Sequence, residues 1–81
     1  MFKQSWSTEY NQYKIKVTND WFGPSELFID EKLQDKITGI FSARLIGKID
    51  GKEIKVAITA TFFSIECDIF VKNEAIYSSK N

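Results

Sequence analysis

The chain has 81 residues, of which 43% are hydrophobic and 15% aromatic, and its 11 basic and 11 acidic residues give a net charge of zero. This length allows one small domain with one core, and the apolar content excludes a disordered chain. Because opposite charges are equal in number and interspersed, the chain lacks the broad positive field that nucleic-acid binding requires, so we expect no nucleic-acid partner.

The first regular pattern begins at Tyr13, where Tyr13, Ile15 and Val17 alternate with polar residues. This period of two is typical of a half-buried strand. Residues 26–29, a polar turn at 30–32 and residues 33–37 then predict a β-hairpin. Residues 1–12 are interpreted as a polar N-terminal segment that needs no fixed structure.

The second half shows the same alternation. Residues 41–46 alternate up to Asp50-Gly51, a dipeptide that suits a type I′ turn because both central positions need positive φ. Further strands are predicted at 54–59, 65–71 and 75–77. The sequence therefore predicts an all-β domain over residues 13–77, in which about seven antiparallel strands form a meander, with a C-terminal tail at 78–81. A small sandwich and a partial barrel both fit this pattern.

The two halves of the chain resemble each other. Ile15-Lys16-Val17 and Ile54-Lys55-Val56 are each followed by an aromatic pair, which is Trp21-Phe22 in the first half and Phe62-Phe63 in the second. The similarity extends to ELFI at 26–29 and DIFV at 68–71. An internal duplication would explain it, and so would chance, because strands are built from few residue types.

The residues needed for common catalytic mechanisms are missing. The chain has no histidine and a single cysteine, which excludes Ser-His and Cys-His mechanisms and a structural zinc site. Glu66 and Asp68 share one face of a strand, but this face is opposite the apolar one, so a solvated surface is the simpler interpretation. The same holds for the turn carboxylates Asp30, Glu31 and Asp35 as calcium ligands. We expect no enzyme activity, no catalytic residue, no metal and no cofactor.

Cys67 alternates with the aliphatic residues Ile65 and Ile69. Free cysteine is among the most buried residue types, so this pattern predicts a core thiol and not a reactive one.

The aromatic residues are the remaining candidates for a functional site. Trp21 and Phe22 directly precede Gly23-Pro24, and alternation places Phe28 and Phe70 on the polar faces of their strands. Together these four residues predict an exposed cluster rimmed by acids that binds a partner. The alternative is that both faces of the strands are covered and that Trp21 and Phe22 close one end of the core, which the small size of the domain favours.

These observations lead to two functional hypotheses. The first is a non-enzymatic β-sandwich module that binds a protein partner, or a second copy of itself, through Trp21, Phe22, Phe28 and Phe70. The second is a small-ligand domain in which an apolar or sugar-like ligand stacks on Trp21 and Phe22. The opening residues show no leader pattern and no apolar run is long enough to span a membrane, so we expect a cytoplasmic protein without a membrane partner.

One longer stretch resembles a family. IKVTNDWFGPSELFIDEKLQD, with the later LIGKIDG and DIFVKNEAI segments, resembles a class of small uncharacterised bacterial proteins that carry N-x-W-F-G before an L-x-V-D-G-x-x-x-D hairpin. The resemblance covers residues 13–77, and the chain departs from the pattern at Glu31, where a turn glycine is expected. It implies a compact antiparallel β domain of bacterial or phage origin and brings no activity or functional residues.

Overall fold

A computed structural model describes residues 3–20, 23–38 and 42–79 of the chain. These residues form eight strands and no helix, and every strand pairing is antiparallel. The first four strands form one sheet in chain order and the last four form a second, which confirms the all-β prediction and gives a small sandwich. The strands are β1 (Lys3–Tyr10), β2 (Tyr13–Asp20), β3 (Pro24–Ile29), β4 (Lys32–Thr38), β5 (Ser42–Ile49), β6 (Lys52–Ala60), β7 (Ile65–Val71) and β8 (Glu74–Ser78).

The additional strand is β1, which lies in the segment that the sequence placed outside the β domain. It pairs along its whole length with β2, and Trp6 lies opposite Val17. The inward positions of β1 are Gln4, Trp6, Thr8 and Tyr10, and two of these are polar. The period-two hydrophobic signal is therefore weak, although the strand itself is regular.

The β1–β2, β3–β4, β5–β6 and β7–β8 hairpins each close with a two-residue turn in which both residues have positive φ. This is the type I′ geometry, whose twist matches that of the flanking strands. The sequence predicted it only at Asp50-Gly51, since the other turns contain no glycine. The remaining turns are Asn11-Gln12, Asp30-Glu31 and Lys72-Asn73.

The core lies between the two sheets and takes the inward residues of both. Cys67 is among them and is fully buried, as predicted. The buried hydrophobic cluster consists of Ile15, Val17, Leu27, Ile29, Ala43, Leu45, Ile49, Ile54, Val56, Ile58, Cys67, Ile69 and Val71.

The two halves share one strand arrangement. Both have the same strand order and the same turn geometry between their first and second and between their third and fourth strands. Each also has a register shift at the same place in its last pairing, after Leu27 in the first sheet and after Ile69 in the second. The extra residues are Gln34 in β4 and Ile76 in β8. The similarity between the two halves of the sequence therefore coincides with a structural repeat.

The sheets meet where β4 approaches β5. The Asp35 carboxylate accepts a hydrogen bond from the Ile46 N–H at 2.9 Å and one from the Lys36 N–H at 2.9 Å. A Cβ added at Gly47 would lie 3.1 Å from Leu27 Cδ2, so β5 crosses the first sheet closely because this residue has no side chain.

The hairpin turns of both sheets lie at the same end of the sandwich. The Tyr13 hydroxyl donates to Asp50 Oδ1 at 2.9 Å, and the Lys52 ammonium group lies 3.4 Å from the Tyr10 hydroxyl. In a meander, the β2–β3 and β6–β7 connections then leave from the opposite end. The turn end is entirely polar in sequence, whereas the β6–β7 connection contains two phenylalanines.

Candidate interaction surfaces

The structure describes two of the four aromatic residues that the sequence grouped, Phe28 and Phe70. Trp21 and Phe22 lie outside the described residues, between Asp20 and Gly23, whose N–H donates to the Asp20 carbonyl at 3.2 Å. Phe28 and Phe70 are half-buried and lie on the outer faces of β3 and β7, as their alternation predicted.

Phe28 and Phe70 do not come together. Leu27 and Ile29 beside Phe28, and Ile69 and Val71 beside Phe70, point into the one core between the sheets. Phe28 therefore faces outward from the first sheet and Phe70 outward from the second, on opposite sides of the sandwich. A partner with a small footprint can contact only one of them.

Each of these phenylalanines sits in an equivalent row of side chains across its sheet. In the first sheet, the register aligns Phe28 with Lys16 on β2 and with Leu33 on β4. In the second sheet, Phe70 aligns with Lys55 on β6, and Lys55 aligns with Ile46 on β5. Leu33 and Ile46 are 51% and 48% exposed, so both outer faces contain apolar surface next to a lysine.

The outer face of the first sheet is also concave. A depression of about 700 Å³ lies over β1, β2 and β3, with Phe28 in its lining. Its charged residues are of both signs, and they are Glu9, Lys14, Lys16 and Glu31. This surface can hold a small molecule that has an apolar part and polar groups at its margin.

Among the described residues, the most exposed apolar surface lies outside the aromatic cluster that the sequence predicted. Phe62 and Phe63, in the connection between β6 and β7, are 100% and 98% exposed. Their ring centroids are 6.2 Å apart and the rings are tilted by 49°. We call these two side chains the Phe62–Phe63 tip.

The tip is held by a turn whose polar groups bond to one another. The Thr61 N–H donates to the Ser64 carbonyl at 2.7 Å, and the Thr61 hydroxyl donates to the same oxygen at 3.0 Å. The N–H groups of Phe63 and Ser64 donate to the Thr61 hydroxyl oxygen at 3.3 and 3.0 Å. The four residues carry no charge, so the cost of removing this turn from water is low.

Two features of the sequence could have identified the tip. Phe62 and Phe63 follow the point where the alternation of β6 ends, so neither belongs to a strand face. Thr61 and Ser64 flank them, and these residue types form local side-chain-to-backbone bonds in turns. In the sequence, Trp21-Phe22 stands out more because it directly precedes Gly23-Pro24, and Phe62-Phe63 is noticed only as the matching pair of the second half.

The turn carboxylates bind backbone groups. Asp30 Oδ1 accepts from the Lys14 N–H at 2.8 Å, and Asp35 connects β4 to β5 as described above. Glu66 and Asp68 lie on the outer face of β7, in rows away from the core. In the part of the chain that the structure describes, no three acidic or cysteine side chains are grouped so that they could hold a metal ion.

Within the described part of the chain, Cys67 and Tyr13 have a raised pKa. Burial raises the pKa of the Cys67 thiol to about 12, and the nearby Asp68 charge adds to the shift. The hydrogen bond to Asp50, with the negative charge of that carboxylate, raises the pKa of Tyr13. Cys67 therefore stays protonated at neutral pH and is not a nucleophile.

Comparisons with protein-family models, with curated proteins and with solved structures found no match to this chain. None of the residues placed by the structure belongs to a helix that is long and apolar enough to cross a membrane.

Proposed function

We propose that this chain is a non-enzymatic interaction module that binds a protein partner through the Phe62–Phe63 tip. The observation that carries the proposal is the nearly complete exposure of two adjacent phenylalanine rings on a hydrogen-bonded turn. Burying each ring in a partner would contribute about 1.5–3 kcal/mol, a gain that folding does not use. The missing histidine and the raised pKa of Cys67 support a non-enzymatic role.

The shape and chemistry of the tip indicate what the partner offers. The tip projects from the domain, so its complement is a concave pocket. Because the turn has no charged residue, the pocket is expected to be apolar and uncharged, and aromatic side chains are typical anchors in such pockets. The internal bonds of the turn fix its backbone before binding, which reduces the entropy lost on association.

The four aromatic residues that the sequence grouped are not the centre of this proposed binding site. Phe28 and Phe70 lie on opposite faces, so at most one of them can extend a contact centred on the tip. Trp21 and Phe22 occupy the equivalent connection of the first half in the sequence, and their part in binding stays a prediction.

The test compares three forms of the protein in affinity capture from cells of the source organism. Phe62→Ser with Phe63→Ser removes the tip, and Ile46→Ser removes a half-exposed apolar residue from a sheet face as a matched control. Proteins retained by the wild type and by the Ile46 variant, but lost with the double variant, support the proposal. Equal retention by all three forms would exclude the tip as the binding site.

A photo-crosslinking side chain locates the contact independently. With p-benzoylphenylalanine at position 62, the captured protein should form a covalent adduct on irradiation, and the same group at position 46 should give none. An adduct only at position 46 would move the site to the outer face of the second sheet.

A second candidate function rests on the depression around Phe28. Its aromatic lining and its lysines of β2 favour a small apolar or sugar-like ligand with polar substituents. A screen of soluble oligosaccharides and fatty acids by amide chemical shifts should then move resonances of residues 7–9, 14–16 and 28–31. Shifts that persist in Phe28→Ala would exclude this depression as the site.

A further inference from the structure

The four edge strands, β1, β4, β5 and β8, differ in how well they are protected from pairing with another chain. An edge strand exposes unpaired N–H and C=O groups that can accept a further strand. Among the described strands, β4 and β8 are interrupted by register shifts, and on β5 the Ile46 N–H is bound by Asp35. In contrast, β1 runs for eight residues with no register shift and no proline. Among the described strands it pairs with β2 alone, so its other side is an open edge.

The hairpin turn determines which groups of β1 point away from β2. With a two-residue turn, the closing pair Tyr10–Tyr13 exchanges both backbone hydrogen bonds, and such pairs then alternate along the strand. The same rule applied to β5 directs the Ile46 N–H outward, where it does bind Asp35. On β1 the residues whose backbone N–H and C=O groups point away from β2 are Lys3, Ser5, Ser7 and Glu9, and we call these four the outward residues.

We propose that this edge of β1 pairs with β1 of a second copy of the chain, antiparallel about a two-fold axis, so that two first sheets join into one continuous sheet. Two β1 edges can form backbone hydrogen bonds only if each outward residue of one strand lies opposite an outward residue of the other strand. The register centred on Trp6 uses all four outward residues of each strand, and it aligns Lys3 with Glu9 and Ser5 with Ser7 of the second copy. A shift of two residues in either direction leaves fewer of them paired.

Charge complementarity supports a second copy as the occupant. In this register, Lys3 of each copy lies directly opposite Glu9 of the other. Within the chain, Lys3 is aligned with Asp20 and Glu9 with Lys14 on β2. Across the joined sheet, the row is therefore acid, lysine, acid, lysine, which places opposite charges next to each other at every step.

The centre of the register also fits a two-fold contact. Trp6 lies opposite Trp6 of the second copy in a non-hydrogen-bonded pair, where cross-strand side chains are closest. Trp6 is on the inward face and already packs against the core. Aromatic pairs at such positions stabilise antiparallel sheets.

This dimer is independent of the proposed function, since it uses neither Phe62 nor Phe63. The double serine variant of the tip should dimerise like the wild type, and variants of β1 should keep the tip intact. The two ideas can therefore fail separately.

Sedimentation equilibrium over a concentration series tests the pairing. The wild-type mass should rise with concentration from 9.4 kDa towards twice that value. Lys3→Glu alone or Glu9→Lys alone places like charges opposite each other at two points and should weaken dimerisation about tenfold or more. The double reversal Lys3→Glu with Glu9→Lys restores opposite charges across the contact and should restore the dimer.

The double reversal is the matched control for folding. It keeps the like-charge pairs with Asp20 and Lys14 that each single change creates within the chain, so a restored dimer can come only from the intermolecular contact. Ser7→Pro provides a second variant, because its outward N–H is dispensable for the pairing with β2. It should be a folded monomer by circular dichroism.

Three results would overturn the inference. The first is a wild type that stays monomeric at all concentrations up to about 1 mM, the limit of a weak specific contact. The second is a dimer that is unchanged by Ser7→Pro and by both single reversals. The third is a folded double reversal that fails to dimerise.

Discussion

Glu31 adopts a backbone conformation that suits glycine. Its φ is 68°, and it occupies the same turn position as Gly51, whose φ is 79°. A residue with a Cβ pays a steric penalty in this left-handed region, whereas glycine does not. Glu31 therefore holds this turn at an energetic cost that a glycine would not have.

Glu31→Gly should therefore stabilise the protein by about 1 kcal/mol, measured as the free energy of unfolding in urea. Gly51→Ala is the matched control and should destabilise by a similar amount, because no atom lies near the added Cβ and only the backbone is affected. A neutral or destabilising Glu31→Gly would show that the turn is not limited by its φ.

Cys67 should make stability depend on pH in the alkaline range. Its folded pKa of about 12 lies above the ordinary value of 9.0, so between these values the folded state keeps the proton and the unfolded state releases it. The contribution of the protonated thiol to the free energy of unfolding is fully present below pH 9 and should fall by about 1.4 kcal/mol per pH unit above it.

Urea unfolding at a series of pH values checks this dependence against Cys67→Ala. The difference between the two proteins isolates the thiol from Tyr13 and the lysines, which titrate in both. Parallel pH curves for the two proteins would show that the thiol is solvated in the folded state.

At the scale of elements, Asp35 joins the two sheets. Its carboxylate accepts from the Ile46 N–H, which would otherwise be an open group on the edge of β5. Asp35→Ala should cost about 1–2 kcal/mol in urea unfolding, as expected for a charge-assisted bond at a half-buried site.

Asp35→Asn tests whether the bond itself is responsible. It keeps one acceptor oxygen and should lose less stability than Asp35→Ala. If the alanine variant were as stable as the wild type, the contact between β4 and β5 would not depend on this carboxylate.

The strands were largely predictable because alternation of polar and apolar residues reports which residues share a face. It placed Ile15, Val17 and Cys67 in the core and Phe28 and Phe70 outside it. Alternation does not report which sheet a strand joins, so it could not show that Phe28 and Phe70 lie on opposite sides. It also failed for β1, where polar residues occupy inward positions.

For the molecule as a whole, the repeated unit explains both the fold and the position of the candidate site. Two four-stranded meanders enclose one core, in which four of the described buried hydrophobic residues come from the first sheet and nine from the second, and the polar turns of both sheets lie at one end. The Phe62–Phe63 tip leaves from the other end and makes no contribution to this core. We propose that these two rings are present for binding and not for folding.

That claim is tested most directly by the free energy of unfolding of the variant with both Phe62→Ser and Phe63→Ser, measured in urea against the wild type. If the two rings take no part in folding, the difference should lie within about 0.5 kcal/mol, as for substitutions at exposed sites. The buried Ile58→Ala serves as a reference and should lose about 2–5 kcal/mol. A loss of about 3 kcal/mol or more in the double serine variant would mean that the rings are part of the core and are not kept for binding.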